Sequence, residues 1–227
     1  MSHRLRNASR VSVLFVAFGF LALQVLQAYE VPLTPAVIHE AYVLGRRNDQ
    51  ATSDFFNAYV KQLAAGAEQS DITQIEILTP FAQVVDLSRR NATANYTEEQ
   101  AADDYRRQGD KIIVHITLML PAAYAAVQKS LPETPTSDVD KDALRPENFW
   151  QNFRFALKHS GKVIATRSIS NHPVHSASTK EAPSVLDGAV VWLEYDAKDV
   201  ASEPVTVEVL TPKSQTISTM FDLKKLR

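Results

Sequence analysis

From Phe153 to the end of the chain, short apolar runs alternate with polar positions at a spacing of two. Phe153, Phe155 and Leu157 interleave with Arg154, Ala156 and Lys158. Ser160-Gly161 then makes a turn, and 162–168 returns. Comparable runs occupy 189–195, 205–210 and 216–223. A period of two is the geometry of an extended strand, whose successive side chains point to opposite faces. Such runs separated by turns predict packed antiparallel sheets. Two stretches break the pattern. Residues 129–148 hold Pro132, Pro135 and Pro146 among charges and read as a linker, and 169–187 reads as a long polar loop.

The first half carries helical signals. Thr34 followed by Pro35 is a cap with a favoured first helical residue, and Val37, Ile38, Ala41 and Leu44 fall on one face. Gly45 is expected to stop that helix. A second helix is predicted over 50–64, with Phe55, Phe56, Tyr59, Val60 and Leu63 as its apolar stripe and Gly66 ending it. The short link predicts an antiparallel helical hairpin. Residues 72–78 alternate as a strand. Thr79-Pro80 opens 81–90, which reads as a helix in preference to a strand. Thr97 with Gln100 has the spacing of a capping box, starting a helix that runs to about Gln108 before Gly109. The apolar run 111–120 predicts a central strand. The expected fold class is α+β: short helices in the N-terminal half with an antiparallel β-sandwich of about seven strands. Residues 29–227 are expected to form a single domain, helical over about 33–66 and β-rich over about 71–227.

The N-terminus predicts export. Arg4, Arg6 and Arg10 precede an apolar segment, 11–26, and Ala28 follows it. That order matches a secretory signal at 1–28, and the segment is shorter than the ~20 residues a spanning helix needs. Cleavage after Ala28 is the expectation; an uncleaved anchor is its alternative. The chain has no cysteine, so disulfides, thiolate metal sites and cysteine nucleophiles are excluded. An exported chain of this size without disulfides must be held by its core, which favours a bacterial envelope location over a small eukaryotic secreted domain. The glycosylation-like triplets at Asn91 and Asn95 are then chance matches. Removing 1–28 leaves 21 basic against 26 acidic residues, a net charge near −5. A mildly acidic body argues against a nucleic-acid partner.

Three groups of side chains are candidates for binding. The pairs Arg46-Arg47, Arg89-Arg90 and Arg106-Arg107 suit a phosphate, sulfate or carboxylate polymer if folding gathers them. Each also lies at a predicted helix C-terminus, where the dipole favours cations by about 0.3–1 kcal/mol. Asp138, Asp140 and Asp142 have the alternate spacing of a calcium loop, but Ala143 stands where glycine is needed and Phe149 where the bidentate glutamate belongs. His172 and His175 lie in the predicted second loop, where two imidazoles can begin a zinc site; His159 is the nearest further donor. His39-Glu40 lacks the second histidine of a zinc-protease helix, because residue 43 is Val43. His115, inside a strand, reads as a hydrogen-bonded core or face residue. Trp150, Phe149, Phe153 and Trp192 read as core, with stacking on a sugar ring as the alternative. There is no nucleophile elbow and no phosphate-cradling loop.

The sequence therefore predicts an exported, non-catalytic envelope protein that binds a protein or glycan partner or serves a structural role, with no cofactor. The competing reading is a secreted hydrolase, metal-assisted through calcium or zinc, built from the loops 129–148 and 169–187. A third is a membrane-tethered component, held only through 11–26.

Overall fold

The computed structural model describes residues 31–63, 72–120, 146–175, 186–200 and 203–227. Segment 1–28, Gly66, and the linker residues Asp138, Asp140 and Asp142 lie outside the described residues. In chain order the elements are α1 (Pro35–Arg47), α2 (Gln50–Asn57), β1 (Val60–Gln62), β2 (Ile72–Leu78), α3 (Pro80–Arg90), α4 (Glu98–Gln108), β3 (Lys111–Met119), β4 (Arg154–His159), β5 (Lys162–Ile164), β6 (Ser168–His175), β7 (Leu186–Asp196), β8 (Pro204–Leu210) and β9 (Thr216–Asp222). The fold is α+β. Four helices from the N-terminal half accompany two antiparallel sheets, ordered β1-β2-β3-β7-β6 and β5-β4-β8-β9.

The two sheets share one apolar core. From the five-stranded sheet, Ile75, Ile77, Val114, Ile116, Val191 and Leu193 face inward; Leu157, Ile164, Val205, Val207, Val209 and Phe221 come from the other. Each is almost fully buried. A buried side chain of this size contributes roughly 1.5–3 kcal/mol. The alternation read from the sequence is thus the inward face of each strand. Ile72 joins the same core despite being out of phase with Ile75, because a bulge between Ile72 and Gln74 shifts its register.

The helices build a second, smaller core from Leu33, Ile38, Ala41, Phe81, Val84, Val85 and Ala101. Their starts follow local chemistry. Thr34, Thr79 and Thr97 cap α1, α3 and α4 through their hydroxyls, and Thr97 with Gln100 completes the capping box. Two predicted ends are corrected. Gly45 does not stop α1, which continues to Arg47 and ends at Asn48 in the left-handed region. Gly45 is instead buried against α3, where the main chains of the two helices meet. The second helix ends at Asn57, and Tyr59, Val60 and Leu63 leave its stripe: Val60 starts β1, which pairs with β2. Leu63 continues the pairing, its N–H donating to the Thr73 carbonyl.

Tyr59 and Arg227 fasten the helices to the sandwich. Tyr59 is 1% exposed. Its hydroxyl donates to the Arg227 carbonyl at 2.9 Å and accepts from the Arg227 N–H at 3.0 Å. Thr79 donates its hydroxyl to the same carbonyl. The Arg227 guanidinium makes a two-pronged pair with Glu40 of α1 and lies 4.7 Å from the centre of the Phe81 ring. The hydrogen bond from Arg227 holds the Glu40 carboxyl below its ordinary range, against the opposing effect of partial burial.

Burial is the leading cause of raised ionisation at Tyr59, Tyr96, Tyr105 and Tyr195, and it pushes the Tyr59 phenol up to about 12. A raised folded-state value favours folding fully below the unfolded value of 10.0, and that contribution is lost as pH climbs toward 12. Stability should therefore fall progressively between pH 10 and 12. In Tyr59→Phe about 2–3 kcal/mol of that slope should be missing, as read by denaturant midpoints across the window. An unchanged slope would show that Tyr59 ionises freely.

Candidate recognition face

The structure places each predicted arginine pair at a helix end, where local partners engage it. Arg46 donates to the carbonyls of Asn91 and Ala94 at 2.9 and 3.1 Å, tying down the turn after α3. Arg47 pairs with Asp49 at 3.0 Å, and Asp86 takes both Arg89 and Arg90 at 2.9 and 2.7 Å. Arg106 pairs with Asp103 at 2.5 Å and Arg107 with Asp104. Five of the six thus hold a carboxylate one turn or less away in sequence. Helix-end electrostatics account for the placement.

The predicted loop 169–187 begins as a strand. β6 spans Ser168–His175 and pairs along its length with β7. It escaped recognition because it is an edge strand, and its burial is slight on both sides. His172 and His175 stand three apart on it and so leave from opposite sides of the backbone. His159 lies in the other sheet, where its Nε2 is 3.1 Å from Glu203. Among the described residues, no group of three or more histidine, cysteine or acidic side chains is gathered to hold a metal. His39 pairs with Glu98 across α1 and α4 at 2.7 Å. Phe149 and Trp150 pack against the sandwich core, as expected.

What the sequence did not foresee is a row of side chains across the outer face of the five-stranded sheet. Strand register sets it: Glu76 of β2 lies opposite His115 of β3, and His115 lies opposite Trp192 of β7. The inward neighbours of all three belong to the core, so these side chains point away from it. Glu76 Oε2 accepts from His115 Nδ1 at 2.8 Å. A carboxylate only accepts, so the hydrogen sits on Nδ1. His115 Nε2 is buried and has no hydrogen-bond partner.

The indole of Trp192 stands between two imidazoles. The His115 ring centre is 4.3 Å from the indole centre, with planes inclined by 37°. From β6, the His172 ring is 4.5 Å away at 56°. His172 is exposed, while His115 and Trp192 are half-buried. β3 and β6 flank β7 on opposite sides, so the two rings reach the indole from the two neighbouring strands. Trp192 is therefore on the outer face of the sheet and not the core residue expected.

Chemically, the row offers a carboxylate-oriented imidazole, a second imidazole open to solvent, and an aromatic ring that favours cations on its faces. Among the described residues no hydroxyl or thiol is hydrogen-bonded to His115, so this imidazole is not paired with a nucleophile in the way acyl transfer uses. The arrangement suits contact with a partner surface. No known protein-family model matches this chain, and no curated protein matches its sequence.

Proposed function

We propose that this protein is an exported, non-catalytic binding module of the bacterial cell envelope. It meets a protein partner through the outer face of its five-stranded sheet. The observation that carries the reading is the Glu76–His115–Trp192–His172 row, which concentrates aromatic and titratable side chains where a sheet normally turns scattered small or charged residues to solvent. Aromatic residues at this density are a mark of contact surfaces. A protein partner is favoured over a glycan because two imidazole rings crowd the Trp192 indole at 4.3 and 4.5 Å. Export is supported by the basic, apolar and small-residue order of 1–28.

A photo-reactive amino acid at Thr117, beside His115 on the same face, tests this in the living cell. The control is Ser218, on the outer face of the other sheet. A discrete cross-linked protein from position 117 and none from 218 is the expected outcome. Equal labelling from both positions, or none from 117, would sink the reading. Intact mass of the exported form should begin at Tyr29.

A further inference from the structure

Among the described residues, one sheet edge lacks every feature that keeps edges from pairing. We propose that β9 is the seat of a two-fold dimer: it lies antiparallel to β9 of a second copy of this chain and joins the two four-stranded sheets into one continuous sheet. The inference is independent of the outer face of the five-stranded sheet.

The edge strands of the two sheets are β1, β6, β5 and β9. A free edge presents unpaired main-chain N–H and C=O groups, and proteins guard it by shortness, lysine, proline or a bulge. β1 and β5 are three residues long, and each carries a lysine, Lys61 and Lys162. β6 holds Pro173, which has no N–H, and a bulge between Val174 and His175. β9 has none of these. It runs for seven residues, Thr216–Asp222, in unbroken register with β8. It contains no proline and no lysine, and its charge is confined to Asp222 at its end. Met220 on it is 65% exposed.

The strand itself specifies a second copy as the occupant. Gln215, just before β9, turns both its N–H and its carbonyl toward Thr211. Alternation along the strand then directs the main-chain groups of Ile217, Thr219 and Phe221 to β8 and leaves those of Thr216, Ser218, Met220 and Asp222 on the free edge. Pairing centred on Thr219 uses all of them: Ser218 bonds Met220 of the second copy, and Thr216 bonds Asp222. On the core side, half-buried Ile217 then meets Phe221 of the second copy. On the solvent side, the two Met220 side chains come within diagonal reach and cover each other. Asp222 pairs with Lys225 at 3.3 Å and falls opposite Thr216, so the paired strands bring no like charges face to face. Because the same strand serves both copies and the other edges are guarded, the assembly closes at two.

The test follows the mass of the full exported chain by sedimentation from about 1 µM to about 200 µM, the range suited to a one-strand interface. The wild type should pass from monomer to dimer. Ser218→Lys/Met220→Lys alters two exposed side chains and gathers four lysines at the joint, so it should weaken the dimer at least tenfold. A second measurement uses the absence of cysteine from the chain. Thr219→Cys places two thiols in a close pair, with Cα atoms about 4.5 Å apart, and should form a disulfide-linked dimer under mild oxidation. Ser170→Cys, on the guarded edge β6, should not. A wild type that stays monomeric throughout, a dimer that the lysines leave unchanged, or equal disulfide yields at 170 and 219 overturns the proposal. A cross-link from position 218 to a second copy, at twice the chain's mass, reports this dimer; only a different protein caught there bears on the outer face of the other sheet.

Discussion

Gly45→Ala should cost about 2–4 kcal/mol of stability and lower the unfolding midpoint by many degrees. Alanine is the better helix former by about 1 kcal/mol, so propensity alone predicts the opposite sign. Packing decides. A Cβ at position 45 would stand 2.3 Å from the Val85 carbonyl oxygen, 2.7 Å from Ser88 Cβ and 3.0 Å from the Arg89 nitrogen. Two of those three atoms are main chain, so no rotamer change relieves them. The methyl can fit only if α1 moves off α3, which opens the contacts of Ile38, Ala41, Val84 and Val85. Adding Ser88→Gly should recover little, because the closest contact remains. Thermal and denaturant unfolding of the two variants measure this. A stabilised Gly45→Ala would mean that the helices are not in contact there.

Tyr59→Ala should be comparably damaging, at about 3–5 kcal/mol. The ring is fully buried, with Phe55 at 4.7 Å and Phe56 at 6.4 Å between centres. Removing it empties the space where the helical core and the sandwich core meet, since Phe55 and Phe56 pack against both. It also leaves the Arg227 N–H without its acceptor. Tyr59→Phe keeps the ring and should lose only about 1–2 kcal/mol at neutral pH. A small loss in both variants would show that the two cores are held together elsewhere. Loss of the helical transition alone in Tyr59→Ala would show that the cores fold separately.

Much of this architecture was readable from the chain because it depends on neighbours in sequence. A threonine followed by proline, or by glutamine three residues on, satisfies the first amides of a helix locally, and α1, α3 and α4 begin where such signals stand. The strands with one buried face announced themselves by alternation. The errors arose where tertiary contact overrode local preference. Gly45 looks like punctuation until α3 is placed against it. Phe55, Phe56 and Tyr59 have helical spacing, yet pairing with β2 pulls Val60 into an extended conformation. β6 buries little on either side and so carries no apolar signature. The outer-face row is harder still. Its four side chains come from four strands, and only the register of β2, β3, β7 and β6 makes neighbours of them. His115 was legible as a hydrogen-bonded core or face residue; its partners were not. Single-residue signals reported helix starts, whereas the site is a property of strand pairing.

The fastening at Arg227 also bears on the order in which the molecule can assemble. Glu40 and Arg227 are 187 positions apart, Tyr59 and Arg227 168, and Thr79 and Arg227 148. Closing so long a span costs only about 0.6 kcal/mol more than closing one half its length, so distance hardly weakens the finished joint. It does delay it, because contacts between remote positions form late. During synthesis, the residues of α1 and α3 emerge long before the one that ties them to the sandwich has been added. The seam between helices and sheets therefore closes late, and until then the apolar undersides of both layers stay open to other encounters.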